Sequence, residues 1–150
     1  MELGAPNQVD TGEAPHVRVV RAALEVMARG DIEGTMAMWA PDFVYYGFDA
    51  DGSHREVRGR DEFVEMFTGL QELFEEHQYE IVDLKGVGAE LVVAHIRSHD
   101  VARNTGTPNV ADYLMVVQVR DGKIRFACDF IDTSIQDFLD DAWSETPSEH

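Results

Sequence analysis

Between His16 and Arg29 the apolar residues Val17, Val20, Leu24 and Met27 recur at spacings of three and four, which predicts an amphipathic helix ended by Gly30. Asp31 stands where it can cap a second, short helix carrying Ile32, Met36 and Trp39. That helix must stop ahead of Pro41, because the residue before a proline resists helical backbone angles. Phe43 to Phe48 is aromatic and β-branched and reads as a strand, and the polar, glycine-containing run Asp49 to Arg58 reads as a loop. Asp61 then opens a third helix with Phe63, Met66, Phe67, Leu70 and Phe74 on its buried side.

From Tyr79 onward the period changes from that of a helix to two, which predicts strands at about Tyr79 to Gly86, Glu90 to Arg103, Val110 to Arg120 and Ile124 to Ile131. Asn104 to Pro108 supplies one turn. Asp121-Gly122, between two β-rich runs, supplies another and is the strongest short hairpin signal in the chain. Ser134 to Trp143, with Ile135, Phe138, Leu139 and Trp143, predicts a closing helix. Helices packed on one face of a curved, largely antiparallel sheet make this an α+β fold. Met1 to Pro15 is rich in Gly, Pro and acids without an apolar period and is expected to be a disordered tail. The folded domain is expected to run from 16 to 143, with 144–150 a second tail.

The chain has 150 residues, 44% of them hydrophobic, which suits one domain with a sizeable core. Its formal charge of −17 would repel a nucleic-acid backbone or an anionic membrane, so neither is an expected partner. The single cysteine, Cys128, rules out an internal disulfide and sits in an apolar run, where a buried, unreactive thiol is expected. No stretch is long and apolar enough to span a bilayer and the first residues lack a basic-then-apolar leader, from which a cytoplasmic location is expected.

Candidate chemistry centres on Asp129, a charge inside the last strand between Cys128 and Phe130. Such a residue is costly unless it is paired, hydrated or used, and the pattern alone is equally consistent with a rim carboxylate facing water. On the middle strand, alternation puts Leu91, Val93, His95, Arg97 and His99 on one face and Val92, Ala94, Ile96, Ser98 and Asp100 on the other. If the first set is concave, Arg97 can pair with Asp129; if not, it is an ordinary solvated ladder. His95 and His99 lack a third ligand at a recognisable spacing, so no metal is expected. Asp132 suits a helix cap, Tyr45 alone would suit a core residue with a satisfied hydroxyl, and Asp112 is open between pocket acid and surface residue.

The order of elements, with Trp39-Ala-Pro-Asp-Phe-Val-Tyr45, Gly59-Arg-Asp-Glu-Phe63, Asn104-Thr-Gly106 and Asp121-Gly-Lys-Ile124 followed by Asp129-Phe-Ile-Asp132, resembles the nuclear transport factor 2-like superfamily in its SnoaL-like branch over roughly His16 to Asp140. The resemblance implies a cone-shaped sheet, of the cystatin-like α+β barrel kind, with N-terminal helices on its concave face. Within that superfamily, Tyr45, Arg97 and Asp129 match the tyrosine, arginine and last-strand aspartate of limonene epoxide hydrolase. The water-holding asparagine of that pattern falls on Gly47 and its second acid on His99. The general-base aspartate of ketosteroid isomerase would also fall on Gly47, which excludes that enzyme as a close functional match.

The resemblance implies an enzyme that needs no cofactor and uses acid and base groups on a small apolar or polyketide-like molecule, by epoxide hydrolysis, cyclisation, dehydration or isomerisation. Asp129, Arg97, His99 and Tyr45 would be catalytic, and Leu24, Met27, Phe67, Leu70, Phe74, Tyr113 and Ile131 would line the apolar wall. The competing expectation is a non-catalytic ligand-binding or dimeric assembly module on the same cavity. Two long strands with apolar residues on both faces, together with the habit of the superfamily, lead us to expect a homodimer through the outer sheet face.

Overall fold

The computed structural model describes residues 13–48 and 54–131. The elements are helix α1 (Pro15–Ala28), the short helix α2 (Ile32–Ala37), strand β1 (Trp39–Phe48), strand β2 (His54–Arg58), helix α3 (Gly59–Leu73), and the long strands β3 (Phe74–Val87), β4 (Leu91–Ala102), β5 (Pro108–Arg120) and β6 (Lys123–Ile131). Of the expected N-terminal tail 1–15, residues 1–12 lie outside the described residues while Pro15 already opens α1; the expected tail 144–150, the expected closing helix Ser134 to Trp143 and the cap assigned to Asp132 also lie outside them.

The six strands form one curved, unclosed sheet in the order β2-β1-β6-β5-β4-β3, antiparallel at every junction except the parallel β1–β6 pair. The α+β class and its cone-like, mostly antiparallel sheet are as expected. The local signals also operate as read. Asp31 accepts the Gly34 N–H at 2.9 Å and so caps α2. Asp121 and Gly122 both take positive φ, 55° and 76°, as a two-residue hairpin turn demands.

Three boundaries differ from the sequence reading. Residues 54–58 are not loop but edge strand β2, in register with β1 from Val44↔Arg58 to Phe48↔His54; sheet pairing supplies what a run of His, Arg and Glu lacks in intrinsic preference. Trp39 leaves α2 to begin β1. Phe74 is the first residue of β3 rather than the last turn of α3, so the strand begins five residues before Tyr79.

Helices α1 and α3 cover the concave face. Val17, Val20, Ala23 and Leu24 of α1 and Phe63, Met66 and Phe67 of α3 share one core with Val92, Ala94 and Ile96 of β4 and Met115 and Val117 of β5. Two bulges in the β3–β4 pairing, at Phe74/Glu76 and Ile81/Asp83, bend that edge of the sheet. Toward the wider part of the face the buried positions of β4 change from Val92, Ala94 and Ile96 to Ser98 and Asp100. That change from apolar to polar under the helices marks the site. Among the described residues no helix is long and apolar enough to cross a membrane.

Candidate functional site

A cavity of about 90 Å³ lies between α3 and the concave face, lined by Met27 of α1, Phe63, Met66, Phe67 and Leu70 of α3, and residues of five strands. Its walls are mostly apolar and aromatic. Its polar groups are Tyr45, His77, Tyr79, Ser98, Asp100, Tyr113 and Asp129. The volume is below the roughly 150 Å³ of a cavity known to take benzene and well below the roughly 300–1,000 Å³ of drug-sized pockets. It therefore suits a small molecule.

Asp129 is 8% exposed and forms the floor with Tyr45. The Tyr45 hydroxyl donates a short hydrogen bond to Asp129 Oδ2, while Oδ1 is buried without a hydrogen-bond partner. Burial pushes the Asp129 carboxyl up to about 7, against which the Tyr45 hydrogen bond pulls down. Burial is also the main reason that the Tyr45 hydroxyl lies well above its ordinary range, with the Asp129 charge and hydrogen bond adding to it. A carboxyl held near neutrality with one free oxygen is suited to exchanging protons at physiological pH.

Gly47 explains how Tyr45 reaches Asp129. A Cβ at position 47 would fall 2.6–2.9 Å from Cε2, Cζ and the hydroxyl of Tyr45. The phenol thus occupies the space that a side chain at 47 would need. An asparagine there and this placement of Tyr45 exclude one another, which gives a steric reason for the missing water-holding residue. The ring is held from its other sides by Trp39 and Phe63, at centroid distances of 5.8 and 5.9 Å.

A second polar pair borders the same cavity. His77 of β3 and Asp100 of β4 are register partners, and His77 Nδ1 lies 2.5 Å from Asp100 Oδ1. Asp100 is 3% exposed. The imidazole stacks on Phe74 at 5.2 Å and lies 6.1 Å from the Tyr79 ring. Burial raises both Tyr79 and Tyr113; the Asp129 charge adds to each, and at Tyr113 the Asp100 charge also contributes. Tyr113 therefore senses both carboxylates.

The structure separates the sequence-derived candidates into two groups. Tyr45, Asp129, Met27, Phe67, Leu70, Phe74 and Tyr113 border the cavity. Arg97 and His99 do not. They project from the opposite, convex face, where Arg97 Nε donates to Asp112 Oδ1 at 2.7 Å and His99 Nε2 lies 2.9 Å from Glu80 Oε1. The expected Arg97–Asp129 pair is thus absent, because the concave set of β4 is the Val92-to-Asp100 series. His95 joins the convex cluster at 3.5 Å from Asp112, which settles Asp112 as a surface residue. Its carboxyl is held below the usual range chiefly by the Arg97 hydrogen bond. Leu24 belongs to the closed core rather than the cavity wall. Ile131 ends β6 opposite Tyr113, and its side chain lies outside the described residues. Cys128 is half-buried and burial raises its thiol, as suits an unreactive residue.

His77, Asp100, Ser98 and Tyr79 were not among the sequence-derived candidates. The available signal was on β4: an aspartate in phase with Val92, Ala94 and Ile96 is as anomalous as Asp129 in its own strand. Among the described residues no three His, Cys, Asp or Glu side chains converge as a metal site would require.

A family model described as a SnoaL-like domain matches residues 20–127. Among solved structures, one similar chain is a nuclear transport factor 2-like protein of unknown function from Burkholderia pseudomallei, with 22% identity and a TM-score of 0.75 over 85% of this chain and 98% of that one. Another is TerC co-crystallised with polyporic acid, at 19% identity and a TM-score of 0.75 over 85% and 99% of the two chains. A third is a protein from Catenulispora acidiphila with a ketosteroid isomerase-like fold, in complex with trimethylamine, at 14% identity and a TM-score of 0.70 over 92% and 98%. At these identities the likeness concerns the fold. No curated protein matches the chain.

Proposed function

We propose that this chain, which belongs to the SnoaL-like domain family, is a cofactor-free enzyme that moves protons on a small, largely apolar carbonyl compound, with Asp129 as the general base. The observation that carries the reading is the state of Asp129: one oxygen engaged by Tyr45, the other buried without a partner, in a cavity of apolar and aromatic side chains. A base of this kind takes a proton from carbon beside a carbonyl, and the resulting enol or enolate can cyclise, lose a neighbouring hydroxyl or be reprotonated elsewhere. Tyr45 orients the carboxylate and limits how far burial suppresses its ionised form. Met27, Phe67, Leu70, Phe74 and Tyr113 supply the apolar contacts that bind the substrate.

Carbonyl chemistry is favoured over epoxide opening because neither the arginine nor the asparagine of the epoxide hydrolase pattern borders the cavity. The enzyme reading is favoured over a passive binding module because a buried carboxyl with one oxygen lacking a hydrogen-bond partner opens on an apolar cavity that a phenol and a His–Asp pair also border. Exchange of α-protons for deuterium in small ketones such as acetone, with wild type and Asp129→Asn, is the experiment. Exchange in the wild type that the variant loses supports the reading. Tight binding of ketones without exchange moves the assignment to a ligand-binding module.

The same reading includes a homodimer through the convex face. Leu114 and Phe130 are direct register partners there and are 45% and 57% exposed, with Val110 further along β5. Exposed apolar side chains side by side on a sheet are the usual mark of an interface. Sedimentation at micromolar protein should show a dimer, and a monomer alone would remove this part of the proposal.

A further inference from the structure

We propose that His77, held by Asp100, is the proton donor of the site, acting through Nε2 on the carbonyl oxygen of the substrate whose α-proton Asp129 removes. The inference rests on the proton-transfer reading above and assigns the half-reaction which that reading leaves open. A buried base alone generates an enolate in a cavity of low polarity, where an uncompensated charge is costly. The counterpart must be a group on the same cavity that can give a proton near neutral pH.

Three observations single out His77. It borders the cavity together with Asp129. Its Nδ1 is engaged by Asp100 Oδ1 at 2.5 Å, which fixes that nitrogen as the one that donates to the carboxylate and leaves Nε2 for exchange with a bound molecule. The carboxylate that holds it is almost fully buried, and a buried acid is retained where it has a partner and a task. The strands make the arrangement rigid, because His77 and Asp100 face each other across the β3–β4 ladder and Phe74 stacks on the imidazole at 5.2 Å. Besides the two carboxyls, the other ionisable groups on the cavity are Tyr45, Tyr79 and Tyr113, and burial raises all three, which makes each hydroxyl a weaker acid.

The transfers balance without an oxidant or reductant. Asp129 takes the α-proton, the C–H electron pair becomes the C=C bond of the enol, and the carbonyl π pair takes the proton from His77 Nε2. The site is left with protonated Asp129 and neutral His77. Reversal, or delivery of the two protons to other atoms of the substrate, restores both groups. Asp100 does not touch the substrate and is a positioning residue.

The experiment follows deuterium exchange into acetone by the intact protein, with nitrogen NMR of the histidine side chains alongside and the nitroethane anion as a bound enolate mimic. His77→Gln should lower the exchange rate by roughly a hundredfold, within the range for loss of a general acid. Asp100→Asn should shift the pH profile of exchange and the tautomer of His77, and the nitroethane anion should move the Nε2 resonance of the wild type. If His77→Gln exchanges at the wild-type rate while Asp129→Asn is dead, His77 is not the donor and the assignment of the base stands. If Asp129→Asn exchanges normally, the reading beneath the proposal fails with it. Should the wild type exchange no ketone, an Nε2 resonance that ignores the nitroethane anion overturns the proposal, and one that shifts supports His77 as the cavity's hydrogen-bonding group.

Discussion

The sheet carries two polar clusters back to back. On the convex face Arg97, His95 and Asp112, with His99 and Glu80 beside them, form a cross-strand ladder in water. On the concave face Tyr45–Asp129 and His77–Asp100 sit beneath helices among aromatic rings. The residue types are similar and the physics is opposite. Solvent and salt screen the convex pairs, so they can be gained or lost at little cost. Burial makes each concave carboxyl a liability, and Asp129, lifted to about 7, is held at the expense of the fold. Charge that is costly to keep is where function is to be sought.

The largest effect expected from this contrast is on chemistry. Asp129→Asn should lower proton exchange by about two to four orders of magnitude, whereas Asp112→Asn, on the other face, should leave it unchanged. Loss of activity in both variants would show that the two faces are not independent.

The same substitution should act on stability with a pH dependence of definite sign. Between its ordinary value of 3.8 and about 7, folded Asp129 binds more protons than unfolded Asp129, so its contribution to stability falls as pH rises through that window. Asp129→Asn should therefore be more stable than wild type by up to about 4 kcal/mol at pH 8, with the gain vanishing near pH 4. Urea titrations at the two pH values measure it; a gain that is equal at both would show that the carboxyl is not destabilised by burial.

A smaller effect is expected at Gly47. Gly47→Ala must displace the Tyr45 ring, at a cost of about 1–3 kcal/mol typical of overpacking. It should also raise the Asp129 midpoint further by removing the hydrogen bond that lowers it. A crystal structure of the variant with Tyr45 unmoved would contradict this account of the glycine. The mildest prediction concerns the convex face: with the proposed dimer formed there, Leu114→Asp should leave only monomer in sedimentation while proton exchange stays at the wild-type rate.

The sequence made the fold legible because its signals are local. Spacings of three and four gave α1, Asp-Gly gave the β5–β6 turn, and Asp129 was conspicuous by its apolar neighbours. The phase of β4 was not legible. Both of its faces begin with apolar residues, Leu91 and Val93 on one and Val92 and Ala94 on the other, so alternation alone does not say which side the helices cover. Three titratable residues on one side then drew attention to what is the solvent face. His77 was hidden for a different reason: Glu75, Glu76 and Gln78 around it give no apolar alternation, and its partner Asp100 lies 23 residues away across a strand pair.

Asp129 is a buried carboxyl that the cavity lifts toward neutrality and Tyr45 pulls back, with no convex-face group acting on it. Carboxyl-carbon NMR titration of Asp129 in wild type, Tyr45→Phe and Arg97→Met tests this most directly. The wild-type midpoint should be about 7, higher in Tyr45→Phe and unchanged in Arg97→Met. A wild-type midpoint near 3.8, or one that moves only with Arg97, would contradict it.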